Sequence, residues 1–120
     1  MARWSDAMKF DIHTLEIYQK YLGGKGVYEL GFVRNDVFSP KYIGESHKRT
    51  LYLRLRTYFQ ASRKNEIPPQ LMEQLYNQRN MVWFHVFSCD DPESAEMHML
   101  RREGIGQDRG LYEWNRQYEN

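Results

Sequence analysis

The sequence predicts an α/β domain of the α+β type: a small three-stranded antiparallel sheet flanked by helices, in the order α-β-β-α-α-β-α. Three observations predict it. The runs 26–33 (GVYELGFV) and 81–88 (MVWFHVFS) have the aromatic and β-branched content of strands. Amphipathic segments with capping residues and breakers stand before, between and after them. No repeat, low-complexity stretch or linker divides the chain, so residues 1–120 are read as one domain.

Taken in order, residues 11–22 are the first expected helix. Asp11 can cap it, Ile12, Leu15, Ile17, Tyr18 and Leu22 supply an apolar face, and Gly23-Gly24 ends it. The strand 26–33 follows. Arg34-Asn35-Asp36 is turn-forming, and a return strand covers 37–44. Pro40 interrupts it and marks an edge, a bulge or a longer loop. Ser46 is the expected cap of a helix over 47–61 with the apolar stripe Leu51, Leu55, Tyr58 and Phe59. Pro68-Pro69 starts a further helix carrying Leu71, Met72, Leu75 and Tyr76. The strand 81–88 is apolar on both faces. Asp90 or Asp91 with Pro92 opens a last helix to about Glu103. The aromatic tail 111–118 (Tyr112, Trp114, Tyr118) is expected to return to the body.

The whole-chain quantities narrow the function classes. At 120 residues with 15% aromatic content the chain can build a single core. No run approaches the ~18 apolar residues of a membrane helix, and Met1 to Asp11 lacks the apolar centre of a secretory signal. The single cysteine, Cys89, cannot form an intrachain disulfide. A reducing, cytoplasmic setting without membrane contact is therefore expected. The formal net charge is only +1, but residues 41–64 hold seven Lys/Arg against one acid, Glu45. Such a segment either faces phosphates or is a solvated helix surface.

Candidate chemistry begins with a carboxylate out of place. At about 100° per residue, Glu96 falls among Ala95, Met99 and Leu100 in the apolar stripe of the last helix. A carboxylate there is either paired with a buried cation or holding a metal; Glu103 is the competing candidate. On the helix 47–61, Arg54 lies at the edge of the stripe with Tyr58 one turn on, so the two can act on one site. Arg49, Arg56 and Arg63 lie on the far side. Tyr28 and Tyr42 sit on the first two strands, where tyrosines are core residues with an outward-bonded hydroxyl or members of a site.

Gly26-Val27-Tyr28 and Tyr42-Ile43-Gly44, on neighbouring strands before a basic helix, resemble the paired triplets that name the GIY-YIG nuclease family. The stretch Arg54-Leu55-Arg56-Thr57-Tyr58-Phe59 is similar to the Arg-Leu-x-x-Tyr-Phe helix of the excision-repair members. Glu96-Met97-His98-Met99-Leu100 resembles the family's Glu-x-x-aliphatic-aliphatic, and Trp114-Asn115 its closing Trp-Asn. The match covers 26–115, and its specificity lies in the order of the elements.

The resemblance implies a metal-dependent endonuclease acting on DNA, most simply double-stranded, with one Mg²⁺ or Mn²⁺. Glu96 is the implied metal ligand and Arg54 the phosphate stabiliser. Tyr28 is the implied base or water-orienting group, paired with Tyr42. Tyr58 contacts phosphate or supports the site, and Asn115 binds phosphate or fixes the Glu96 helix. A tyrosine pKa near 10 makes a poor base unless a cation lowers it; the metal and Arg54 are the implied sources. Lys48, Arg49, Arg56, Arg63 and Lys64 are the expected nucleic-acid contacts.

The chain departs from the pattern between Tyr42 and Arg54, which are further apart than in the repair members. Where some members carry a Lys after the second triplet, Glu45 stands here, followed by His47, Lys48 and Arg49. A stand-alone nuclease of phage, mobile-element or restriction type is the expectation, with homodimerisation through the aromatic tail. The alternative is a non-catalytic nucleic-acid-binding module on the same scaffold.

Overall fold

The structure, a computed structural model, describes residues 4–60, 63, 66–102 and 112–116. Among these, four strands form one antiparallel sheet in the order β1-β4-β2-β3. The expected α+β architecture is present, but the sheet has four strands, not three, and the chain order is β-α-β-β-α-α-β-α-α. The extra strand is β1 (Met8–Lys9), paired with β4 (Trp83–Ser88) through Met8↔Phe84 and Lys9↔Trp83. Its pairing continues outward, with Ser5 N donating to Val86 O at 2.8 Å. A two-residue strand carries no periodic pattern. It forms because the outer edge of β4 has backbone groups to satisfy.

The hairpin of β2 (Gly26–Arg34) and β3 (Val37–Ser46) is the frame of the molecule. Asn35 and Asp36 turn it with φ of 53° and 63°. This positive pair suits a two-residue turn and is tolerated by these short polar side chains. The return strand runs unbroken through Pro40. The register shifts between Leu30↔Tyr42 and Gly31↔Pro40, leaving Lys41 as the extra residue of a bulge on the edge strand. The pairing β2·β4 places Tyr28 opposite Val86 and Glu29 opposite His85.

The helices are shorter than their apolar patterns suggest. The helix α1 (Ile12–Ile17) is capped by Asp11, whose side chain accepts from Thr14 N at 2.8 Å. It ends well before residue 22 because the following turn serves the next helix. Leu22 O accepts from Tyr52 N at 2.9 Å and Gly24 O from Leu51 N at 2.8 Å, satisfying the first amides of α2 (Leu51–Arg56). Thr50, not Ser46, caps α2; Ser46 Oγ instead donates to the carbonyls of Arg49 and Thr50. A 3₁₀ turn, Thr57–Phe59, closes the segment and leaves Phe59 exposed. The helix α3 (Pro69–Asn77) starts at its proline as expected, with Tyr76 exposed rather than in the apolar face. Next comes α4 (Pro92–Arg102), and the short α5 (Glu113–Arg116) brings the tail back.

Strand alternation sorts the core onto two faces. Tyr28, Leu30, Phe84 and Val86 meet Leu51, Leu55, Tyr58, Leu71 and Trp114 on one face. Val27 and Ile43 meet Leu100 and Tyr112 on the other, with Trp4, Phe87 and Met99 packed against them. No helix among the described residues is long and apolar enough to cross a membrane.

Candidate active site

Glycine sets the first part of the site. Gly44 lies opposite Tyr28 in the hairpin. A Cβ at Gly44 would stand 2.4 Å from the Tyr28 Cζ and hydroxyl oxygen, so the tyrosine ring lies over a strand that has no side chain there. Gly26 is similarly closed in: a Cβ would meet Phe87 O at 2.5 Å and Leu51 Cδ1 at 2.9 Å. The terminal glycines of the two triplets therefore exist for close approach, one of strand to ring and one of strand to strand and helix.

Tyr28 is fully buried, and its hydroxyl is hydrogen-bonded at 2.7 Å to that of Tyr58, with the rings edge-to-face. The expected partner, Tyr42, is replaced by Tyr58 because the 3₁₀ turn after α2 aims Tyr58 inward. Arg54 lies beside this pair, its Cζ 5.7 Å from the Tyr58 ring centroid. Burial pushes the Tyr28 pKa above the ordinary tyrosine value; the Arg54 charge opposes this and is outweighed. Burial raises Tyr42 and Tyr58 as well. Arg54 by itself thus does not bring the Tyr28 pKa down to its ordinary value. Burial also works against the Arg54 charge, but the hydroxyls of Tyr28 and Tyr58 outweigh it and hold the guanidinium pKa above its usual value.

Glu96 is half-buried on α4, and its charge opposes ionisation of both Tyr28 and Tyr42. Tyr28, Tyr42, Arg54, Tyr58 and Glu96 are thereby brought into one electrostatic neighbourhood. The competing Glu103 lies outside the described residues.

Asn115 is elsewhere engaged. Its Oδ1 accepts from Ile43 N at 2.7 Å and its Nδ2 donates to Ile43 O at 3.0 Å. The amide binds the free edge of β3 between Tyr42 and Gly44, replacing the neighbour strand that β3 lacks there. What the structure shows of Asn115 is this anchoring of the β3 edge. Asn115→Ala should cost about 1–3 kcal/mol, by leaving two buried backbone groups unpaired. Amide exchange at Ile43 should accelerate with it; unchanged protection there would refute the anchor.

The basic surface is partly self-neutralised. Lys48, Arg49, Leu53, Arg56, Gln60 and Arg63 line a depression of about 490 Å³. Arg49 and Arg63 both pair with Glu66, the latter at 2.9 Å, so two of the expected nucleic-acid contacts are committed within the chain. The hydrogen bond from Arg49, then that from Arg63, holds the Glu66 carboxyl below its ordinary value despite some desolvation. Lys48 and Arg56 make no ion pair among the described residues, and Lys64 lies outside them. A smaller cleft of about 190 Å³ is lined by Glu45, Ser46, His47, Lys48, Arg49 and Arg54, sharing Lys48 and Arg49 with this surface.

Sequence reasoning missed a second polar cluster on the opposite sheet face. His85 Nε2 lies 2.6 Å from the buried Glu29 carboxylate, which also accepts from the Tyr112 hydroxyl. Trp4 stacks on His85 and Phe38 packs against it tilted by 38°, each with centroids 4.2 Å away. The acid inside the run GVYELGFV was the available signal. Tyr112 and Trp114 are buried in the chain's own body, as expected of a tail that returns to it. Tyr118 lies outside the described residues. Comparison with protein-family models, curated proteins and solved structures found no match.

Proposed function

We propose that the chain is a metal-dependent endonuclease of the GIY-YIG type that hydrolyses phosphodiester bonds in DNA, most simply duplex DNA. The observation that supports it is the convergence of Tyr28, Tyr42, Arg54 and Tyr58 with the half-buried Glu96. These residues come from five separate elements, and a purely structural tyrosine cluster has no need of a flanking cation and carboxylate.

Glu96 offers oxygen donors that suit a hard cation, Mg²⁺ or Mn²⁺, with substrate phosphate oxygens as further donors. When bound, the cation neutralises charge on the phosphate and on the leaving oxygen. Arg54 stabilises the additional negative charge of the pentavalent state. Tyr28 keeps its proton at neutral pH and orients water through the hydroxyl pair with Tyr58. Lys48 and Arg56 track the flanking phosphates, with Arg49 and Arg63 released from Glu66 as DNA approaches. A phage, mobile-element or restriction setting belongs to the same proposal.

The test is cleavage of supercoiled plasmid by the intact chain with Mg²⁺ or Mn²⁺, beside EDTA and Glu96→Gln. Metal-dependent nicking or linearisation that disappears in Glu96→Gln is expected. Cleavage that survives the substitution rejects Glu96 as the ligand. Complete burial of Tyr28 favours a second reading, a non-catalytic nucleic-acid-binding module. DNA retention without cutting of duplex, single-stranded or branched substrates selects it.

A further inference from the structure

The Glu45–His47–Glu93 cluster is not used by the proposed reaction. Glu45 is the penultimate residue of β3, opposite Val27, His47 begins the loop to α2, and Glu93 lies in the first turn of α4. One donor atom from each residue falls within a 4.8 Å span. Both Glu45 oxygens lie at hydrogen-bond distance from His47 Nδ1, at 3.0 and 2.9 Å. With Nδ1–H donated to Glu45, the imidazole presents a lone pair at Nε2. That nitrogen faces Glu93 Oε1 at 3.6 Å.

The distance discriminates between occupants. Two lone pairs repel when they face each other, so something positive belongs between them. An N–H···O bond to a carboxylate closes to about 2.7–2.9 Å, and 3.6 Å is too long for one. Two donors bound to one cation at about 2.0–2.2 Å in a tetrahedral shell stand roughly 3.4 Å apart. The gap is thus too long for a direct hydrogen bond and wide enough to take a shared ion. A carboxylate on the remote ring nitrogen is also the usual support of a histidine ligand, fixing its tautomer and orientation.

We propose that His47 Nε2 and Glu93 are direct donors to a divalent cation of borderline type, Zn²⁺ or Co²⁺, with Glu45 holding the imidazole through Nδ1. The mixed nitrogen and carboxylate set suits these ions better than Mg²⁺, which takes oxygen. Glu96, one turn along α4 from Glu93, is not a member of the cluster. Both Glu45 and His47 line the cleft that also holds Lys48, Arg49 and Arg54. A cation held there would lie beside this cleft, where a phosphate oxygen or water could complete its shell. The inference does not depend on the nuclease reading, since a protein that cuts nothing can still hold the ion.

Zn²⁺ titration calorimetry and Co²⁺ absorption on the EDTA-treated intact chain, and on its Glu96→Gln variant, test it. Binding of one cation that persists in Glu96→Gln is expected. It should be lost in His47→Gln and in Glu93→Gln, and weakened about 10- to 100-fold in Glu45→Gln. Glu93 is 66% exposed, so Glu93→Gln should leave the fold intact, as circular dichroism would verify. No binding by the wild-type chain overturns the proposal, and the cluster is then an ion pair. Binding that is unchanged in His47→Gln or Glu93→Gln, or lost only in Glu96→Gln, also overturns it.

Discussion

Gly44→Ala should destabilise the protein by about 3 kcal/mol, at the upper end of ordinary overpacking. The added methyl would fall 2.4 Å from two atoms of the Tyr28 ring. That side chain has nowhere to go, because it is fully buried and its hydroxyl is bonded to Tyr58. Either the ring leaves its rotamer or β3 moves away from β2, and both loosen the hairpin that carries the site. Gly24→Ala is the matched control, since nothing lies within 4 Å of its Cβ position. It should change stability by no more than about 0.5 kcal/mol. Urea midpoints measure both. Tyr28→Leu in the Gly44→Ala background should recover part of the loss, because it removes the clashing ring; additive effects of the two substitutions would refute the contact.

Arg54→Ala should reduce single-turnover plasmid cleavage by about 100- to 1,000-fold, the usual effect of removing one donor to a developing oxyanion. Arg54→Lys should not restore it, because a point charge cannot reproduce the planar fork. A second readout does not depend on catalysis. The Arg54 charge is the strongest influence lowering the Tyr28 pKa against the larger upward effect of burial. Its removal should push Tyr28 further up, so tyrosinate absorbance should appear at higher pH than in the wild type. Unfolded tyrosines ionise near pH 10, and burial holds Tyr28, Tyr42 and Tyr58 protonated beyond that. Stability from these hydroxyls is whole below about pH 10 and declines as pH rises through their folded values. In Arg54→Ala the Tyr28 part of that decline should extend to higher pH. An unaltered alkaline titration would separate Arg54 from Tyr28 and remove the basis for its role.

Local chemistry was readable where it acts over a few residues. The hairpin turn at Asn35-Asp36, the Asp11 cap and the proline start of α3 all follow from side chains acting on adjacent backbone. The two triplets and the Arg54–Tyr58 spacing were also visible, because strand alternation and the helical turn dictate which neighbours share a face. Pro40 signalled an interruption, and the bulge on an edge strand is what such an interruption costs in a paired sheet.

What remained invisible depended on partners distant in the chain. Backbone demand at the edge of β4 made β1 a strand, and the amides of α2 shortened α1 by claiming the carbonyls of Leu22 and Gly24. Tyr28 met Tyr58 rather than Tyr42, Asn115 closed on Ile43, and Glu66 took up Arg49 and Arg63. The sequence by itself determined the α+β class, the turn chemistry and the residue types able to serve a phosphate. Tertiary structure alone decided which of those residues are free, because desolvation and pairing depend on three-dimensional neighbours that no local pattern encodes. The same dependence raised the tyrosine pKa values and set His47 between two carboxylates.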